Sequence, residues 1–276
     1  MKKESKILTF TNHSRPIVLL TDFGLQDAFA GILKGVILSI NPHATIVDLS
    51  HGVRPQDILH GAFLLLTAQG YFPRGSIFCA VVDPGVGGGR RPVLIKTNQY
   101  YFVGPDNGLL WQAAQKNGIQ SAVHLTQGAY FLEKISSTFH GRDIFAPIAA
   151  HLSLGVEMCK LGSPVNDPVK ELVHLDLPLP EKQENSLILT VLDIDIYGNI
   201  TLNITQDEFY SFVKDRFCLS AGTARISSCY KAYYQAGEDQ PFLLAASSGY
   251  MEVAQKNGNA AEQLGIKNLD QVVLSR

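Results

Sequence analysis

The chain has 276 residues, 46% of them hydrophobic and 17% charged, which is enough to bury one large core or two ordinary ones and too apolar for a disordered chain. A formal net charge of −2 argues against a nucleic-acid-binding protein, which would normally show a basic face. No apolar run approaches the ~20 residues that span a bilayer, and the opening "MKKESKILTFTNHSRPIVLL" has neither a continuous apolar segment nor a small-residue cleavage site, so no signal peptide and a cytoplasmic location are expected.

The predicted elements then alternate. "PIVLLTDF" reads as a strand running into a Thr-Asp-Phe-Gly turn. Phe29, Ile32, Leu33, Val36, Ile37 and Ile40 recur at helical spacing, and Asn41-Pro42 ends that helix. "ATIVDLS" is a second strand, "PQDILHGAFLLLTAQGYF" a helix opened by Pro55, and "GSIFCAVVD" a third strand. "PVLIKT" and "YYFVG" form a hairpin-like pair, and "NGLLWQAAQKNG" and "RDIFAPIAAHLSLG" are further helical segments, the second with an internal Pro147. This order predicts an N-terminal α/β domain with a largely parallel sheet.

The character changes near residue 163, where "GSPVNDPVKELVHLDLPLPEKQENS" reads as a Pro-rich connector over about 163–185. Beyond it come short alternating runs, "LILTVLDIDIYGNITLNI", "RFCLSAGTARISSCYKAYY", "PFLLAASSGYMEVAQ" and "QVVLS", which predict an antiparallel barrel or small sandwich. Two domains are expected, at 1–180 and 186–276. The four cysteines, Cys79, Cys159, Cys218 and Cys229, carry no CxxC pairing and read as buried reduced thiols.

Parallel sheets place ligands beyond the carboxyl ends of their strands, and three turns gather polar groups there. In "TDFGLQD", Asp22 ends the first strand and is placed to take a diol, whereas Asp27 at the next helix start is either a cap or a ligand. In "VVDPGVGGGRR" the glycines lack the Lys-Ser/Thr of a P-loop and lead to a strand, not a helix. They read as a turn that returns Arg90 or Arg91 over Asp83. In "STFHGRDIFAP", His140 is a general-base candidate and Asp143 a helix cap; His51 in "DLSHGVRPQD" is a weaker candidate of the same type. No HxH or HExxH spacing points to a metal. In the C-terminal half Gly198-Asn199 reads as a hairpin turn, with Asn199 able to present its amide to a purine edge. Ser247, Ser248 and Gly249 form another turn, followed by Tyr250 and Glu252 two apart on one strand.

In this order "TDFGLQD", "VVDPGVGGGRR", "STFHGRDIFAP", "DIYGNITLNI" and "SSGYMEVAQKNGNAAEQLG" resemble the S-adenosyl-L-methionine hydroxide adenosyltransferase family, hydrolytic relatives of the fluorinases and chlorinases, from about residue 16 to the C-terminus. The resemblance implies an α/β domain followed by a β-barrel, a homotrimer with ligand sites between subunits, and hydrolysis of S-adenosyl-L-methionine to adenosine and L-methionine with no cofactor and no metal. It implies a catalytic Asp83–Arg90–His140 triad and a ribose-binding Asp22. Asp27 and Asp195 match positions near the methionine end, Asn199 an adenine-reading asparagine, and Ser247, Tyr250 and Glu252 the remaining ligand-binding turn. The halogenating relatives carry Tyr where this chain has Asp83, and a carboxylate suits water better than halide. A non-catalytic adenosine or S-adenosyl-L-methionine binding protein, a halogenase and a phosphate-nucleotide hydrolase are the rival expectations.

Overall fold

The computed structural model describes residues 15–214 and 216–276. Residues 1–14, on which the expectation of no signal peptide rests, lie outside them. The chain divides into two compact units, the first ending at Asp176 and the second spanning Leu177–Arg276.

The first unit is built on a seven-stranded sheet of order β2-β1-β3-β5-β4-β6-β7. Its strands are β1 (Ile17–Thr21), β2 (Ile46–Ser50), β3 (Ile77–Val81), β4 (Pro92–Thr97), β5 (Tyr101–Pro105), β6 (Ile119–Leu125) and β7 (Gly162–Val165). β2, β1, β3 and β5 pair in parallel, while β4, β6 and β7 pair antiparallel, so five of the seven strands run the same way. The expected largely parallel sheet is present. β1 and β3 are buried at every residue because both faces are covered, which is why they read as unbroken apolar runs rather than alternating ones. One face carries the core of Leu33, Ile37, Phe145 and Ile148, the other that of Leu65, Phe78, Phe102 and Trp111.

Helix α1 (Phe29–Ile40) buries Ala30, Leu33 and Ile37, one i, i+3, i+7 stripe. Phe29 and Ile32, expected in that stripe, are on the exposed side. Helix α2 (Ile58–Ala68) begins later than its Pro55 suggests: Asp57 is its cap, accepting from His60 N at 2.9 Å, because Gln56 before it is left-handed at φ 64°. Helix α3 is Trp111–Lys116. The segment expected as one helix with an internal proline is instead a π-turn, Gly141–Phe145, running into α4 (Ala146–Ser153). Pro147 supplies no N–H to the Asp143 carbonyl, and that carbonyl accepts from Leu132 N at 2.9 Å instead.

The first residues of the expected connector are not a linker. They form β7, the sheet's edge strand, where Pro164 needs no N–H, followed by the short α5 (Pro168–Glu171).

The second unit is one antiparallel sheet of order β12-β11-β15-β9-β10-β14-β13, with β8 (Glu181–Lys182) also on β9. The strands are β9 (Ser186–Ile194), β10 (Ile200–Thr205), β11 (Cys218–Ala221), β12 (Ala224–Ile226), β13 (Pro241–Ala245), β14 (Tyr250–Gln255) and β15 (Gln271–Ser275), with helices α6 (Gln206–Phe212) and α7 (Ala260–Leu264) between them. A bridge between Cys229, just past β12, and Leu243 of β13 draws the two ends together, so the sheet is a nearly closed barrel around Leu189, Val191, Leu202, Leu219, Val253 and Leu274. Of the cysteines only Cys79 is buried, where burial alone pushes its thiol up to about 12; Cys159 is exposed and Cys218 and Cys229 are half-buried.

Candidate active site

Thr21 and Val81 are register partners at the carboxyl ends of β1 and β3, so the turns that follow leave the sheet side by side. Asp22 follows in the first turn and Asp83 in the second. The loop after Asp83 folds through two tight turns, Val86 N to Asp83 O at 3.2 Å and Gly88 N to Gly85 O at 3.0 Å, which brings Arg90 back over Asp83. Arg90 Nε donates to both Asp83 oxygens at 3.0 Å, and its Nη2 meets Asp83 Oδ2 as well. The side chains are only 10% and 5% exposed, a buried ion pair whose geometry satisfies both charges. The guanidinium also lies 5.3 Å from the centroid of the buried Phe145 ring. Arg91, the alternative partner, turns away to Asp106 at 2.6 Å.

The glycines of this loop lead into β4 and not into a helix N-terminus. Gly87 shows the reason for one of them: at φ 75°, a Cβ there would stand 2.2 Å from the Ser137 carbonyl oxygen. The loop bearing Asp83 and Arg90 packs backbone to backbone on the loop bearing His140. Gly87→Ala is expected to push the two loops apart and lower turnover about tenfold or more, since ångström-scale misplacement of catalytic groups is that costly. Steady-state kinetics beside a thermal melt would separate this effect from loss of fold.

His140 is placed by the π-turn that follows it. Asp143, fully buried, accepts from Ser136 N at 2.8 Å and from Arg142 Nε at 2.6 Å. Burial acts to raise the Asp143 carboxyl, but the bonds from Arg142 and Ser136 outweigh it and hold it below the ordinary value. Asp143 is thus neither a cap nor a cleft residue; it latches the 132–139 loop onto the turn. No sequence signal distinguished this from capping, because its partner Ser136 lies in an irregular loop.

Arg90 Nη2 is 2.7 Å from His140 Nδ1. A guanidinium only donates, so Nδ1 is the acceptor and the ring proton sits on Nε2. Burial and the Arg90 charge both lower the His140 pKa, against opposing effects of Asp83, Asp143 and the Ser136 backbone. The ring is neutral at physiological pH. Asp83, Arg90 and His140, separated by up to 57 positions in sequence, form one hydrogen-bonded chain.

A cleft of about 280 Å³ opens onto this chain, lined by Asp22, Gln56, Asp83 and His140 with the rings of Phe23 and Phe139. Phe23, Phe29 and Phe139 pack edge to face, with centroids 5.3–6.0 Å apart. Asp22 Oδ2 accepts from Gln56 N at 2.8 Å, which aims the carboxylate. Asp27 is exposed and outside the cleft lining, and α1 has no side-chain cap. His51 is buried behind the Asp22 turn rather than in the cleft, between Thr21 and Asp48.

In the second unit a wider cavity of about 1090 Å³ is lined by Asp195, Asn199, Ser247, Glu252 and Gln255, among others, with Ile196, Tyr197 and Tyr233 around them. Asp195 caps its own turn: Oδ1 accepts from Tyr197 N and Asn199 N at 2.9 Å, and Oδ2 from Asn199 Nδ2 at 2.9 Å. Gly198, at φ 82°, would place a Cβ 1.9 Å from Asn259 Oδ1, so no side chain fits there. Glu252 accepts from the Tyr233 hydroxyl at 2.7 Å. Burial pushes the Glu252 carboxyl up, Tyr233 pulls it back, and Asp195 pushes it up further. Tyr233 was not legible as a site residue, since it lies in an irregular segment of small and aromatic residues. Tyr250 sits at the start of β14, half-buried and outside this lining. Among the described residues no cluster of three or more His, Cys, Asp and Glu side chains is arranged to hold a metal ion.

With this geometry in hand, comparison with known proteins is specific. The family model of the SAM hydroxide adenosyltransferase N-terminal domain matches residues 17–162, and that of the C-terminal domain residues 189–273, where SAM is S-adenosyl-L-methionine. An (R)-S-adenosyl-L-methionine hydrolase of Methanocaldococcus jannaschii is 36% identical over 268 residues, covering 93% of this chain and 94% of the relative. Its Thermus thermophilus counterpart is 36% identical over 260 residues, covering 92% and 96%. A fluorinase of Nocardia brasiliensis is more distant, 29% identical with 73% of this chain and 75% of the fluorinase covered. Among solved structures, an uncharacterized conserved protein from Thermotoga maritima superposes with a TM-score of 0.87 at 32% identity, covering 94% of this chain and all of that one. Matching models over both units and hydrolase relatives along nearly its whole length place this chain in the SAM hydroxide adenosyltransferase family.

Proposed function

We propose that the protein hydrolyses S-adenosyl-L-methionine at the ribose C5′, releasing adenosine and L-methionine. The observation that carries this reading is the buried Asp83–Arg90–His140 chain at the wall of a cleft that also holds Asp22. Curated relatives at 34–36% identity bear the name of the same activity.

The reaction is a displacement. A water oxygen bonds to C5′, the C5′–S bond breaks with its electron pair staying on sulfur, and methionine leaves as a neutral thioether. The sulfonium is already a good leaving group, so the work lies in the nucleophile, whose pKa is ~15.7 in bulk water. The chain meets that need with a fixed cation, Arg90, and a neutral imidazole whose Nδ1 is committed to it. The His140 Nε2–H donates to one lone pair of the water and leaves the other free to attack, fixing the oxygen in line with C5′–S, while Arg90 holds the ring in that tautomer through Nδ1. The proton lost from the attacking water passes to solvent. Asp83 orients Arg90 with both carboxylate oxygens and keeps its charge from needing solvent. A carboxylate beside the attack site also repels halide, which disfavours the halogenase reading.

Asp22 takes the ribose diol. Asn199, Ser247 and Glu252 hold the adenine end and Asp27 and Asp195 the methionine end, with Tyr250 supporting the turn. Asn199, Ser247 and Glu252 line a different cavity from Asp22 and His140, in keeping with a homotrimer in which the cleft of one subunit and the barrel cavity of a neighbour share one substrate. The reaction as written uses no cofactor and fits a cytoplasmic enzyme without a nucleic-acid partner.

Two measurements test the chemistry. Turnover in H₂¹⁸O is expected to place the label in the adenosine 5′-hydroxyl; unlabelled adenosine would refute attack of water at C5′. The pH profile follows from His140. Its proton affinity is lowered by burial and by Arg90, so kcat/KM should be level through neutral pH and fall in acid with an apparent pKa below the ordinary 6.5. The unfolded chain takes up this proton at 6.5 and the folded one only at lower pH, so acidification through that window also favours unfolding. An acid limb centred above 6.5 would contradict the assigned neutral ring.

A further inference from the structure

Behind Asp22 runs a second polar chain that the catalytic triad does not use. Thr21 is fully buried and its Oγ1 accepts the N–H of Phe23 at 3.2 Å. The Thr21 hydroxyl lies 2.8 Å from His51 Nδ1 and donates to it when the imidazole is neutral. His51, 4% exposed, then carries its proton on Nε2 and donates it to Asp48 Oδ1 at 3.1 Å, while Lys34 Nζ holds Asp48 Oδ2. The carboxylate only accepts, so Asp48 fixes the His51 proton on Nε2, and in the neutral ring Nδ1 is then left to accept from Thr21. The backbone repeats the clamp: Gly24 N donates to His51 O at 2.8 Å and Val53 N to Thr21 O at 3.3 Å. Asp22 lies between the two anchored positions, Thr21 and Phe23. Its own Oδ2 is fixed by Gln56 N, from the same 51–57 segment.

We propose that the Thr21–His51–Asp48 chain sets the ribose specificity of the cleft by holding the turn that aims Asp22 at a 2′,3′-diol before substrate arrives. His51 is a positioning residue, not a catalytic one; it acts on the substrate through the Asp22 turn. This rests on the reading of Asp22 as the diol ligand. A preorganised carboxylate gains its diol hydrogen bonds without first ordering the loop, so less of their strength is lost on binding.

The test is calorimetric binding of adenosine and 2′-deoxyadenosine to the full chain and to variants. The native protein is expected to bind adenosine about tenfold or more tightly over the deoxy analogue, as loss of one such bond implies. His51→Phe should bring that ratio to about threefold or less while leaving 2′-deoxyadenosine affinity within about twofold, and should raise KM for S-adenosyl-L-methionine with kcat little changed. His51→Asn, whose side-chain oxygen can stand where Nδ1 stood, should restore part of the ratio. Asp48→Ala alters a side chain 40% exposed, so it keeps the fold if His51→Phe does not, and it should lower the ratio by a smaller factor. In an Asp22→Ala background His51→Phe should change adenosine affinity no further. A native-like ratio in folded His51→Phe or Asp48→Ala protein would overturn the proposal and leave the Asp22 reading standing. A native protein that does not distinguish the two nucleosides would overturn both.

Discussion

Arg90→Met is expected to remove hydrolysis and destabilise the α/β unit together. The Asp83 carboxylate is 5% exposed and takes its side-chain donors from Arg90. Removing one partner of a buried pair leaves the other charge unsatisfied, which costs roughly 3–5 kcal/mol. A loss of that size is a large part of a domain's ordinary margin. The double variant Asp83→Asn with Arg90→Met should recover much of the stability, since no charge is then stranded, while turnover stays absent. Chemical denaturation of the two variants beside a product assay makes the comparison. Recovery of turnover along with stability would mean that the pair serves only the fold. Full stability in Arg90→Met alone would mean that Asp83 finds another donor.

His140→Ala separates chemistry from binding. Its ring accepts from Arg90 and lines the cleft, but it contributes nothing to the core cluster on either face of the sheet. Turnover should fall by about 10² or more, the cost of losing a group that positions the reacting water. Adenosine affinity should stay within a few-fold, because Asp22 and the second unit's residues are untouched. His140→Asn should recover little of the rate, since its amide oxygen can accept from Arg90 but offers no ring N–H at the same reach. An unchanged kcat would take His140 out of the mechanism; equal losses in kcat and adenosine affinity would make it a binding residue.

Much of this architecture could be read from the residues. The alternation of strands with helices announced a largely parallel sheet, and the turn chemistry of Asp22 and Asp83 placed polar groups at the carboxyl ends of β1 and β3. The glycine loop was legible by elimination, as it leads to β4 and not to a helix. What stayed hidden depends on long-range partners. Pro147 looked like an interruption of one helix, but whether the freed Asp143 carbonyl would be met by Leu132 is a tertiary fact. Asp143 looked like a cap because local sequence cannot show Ser136 folding back onto it. Phe29 and Ile32 carried the right helical spacing, yet spacing does not say how wide a stripe the neighbouring elements cover. His51 looked like a weaker base candidate, and only the register of β1 on β2 turns it inward, onto Thr21. Asp195 matched a ligand position, while its turn supplies it with three donors of its own.

The most direct measurement is incubation of the purified protein with S-adenosyl-L-methionine in halide-free buffer containing a chelator, followed by chromatography of the products. Adenosine and L-methionine in equal amounts, accumulating over many turnovers, are the predicted result. Stoichiometric binding of adenosine with no products would contradict the account and make the Asp83–Arg90–His140 chain part of a recognition site.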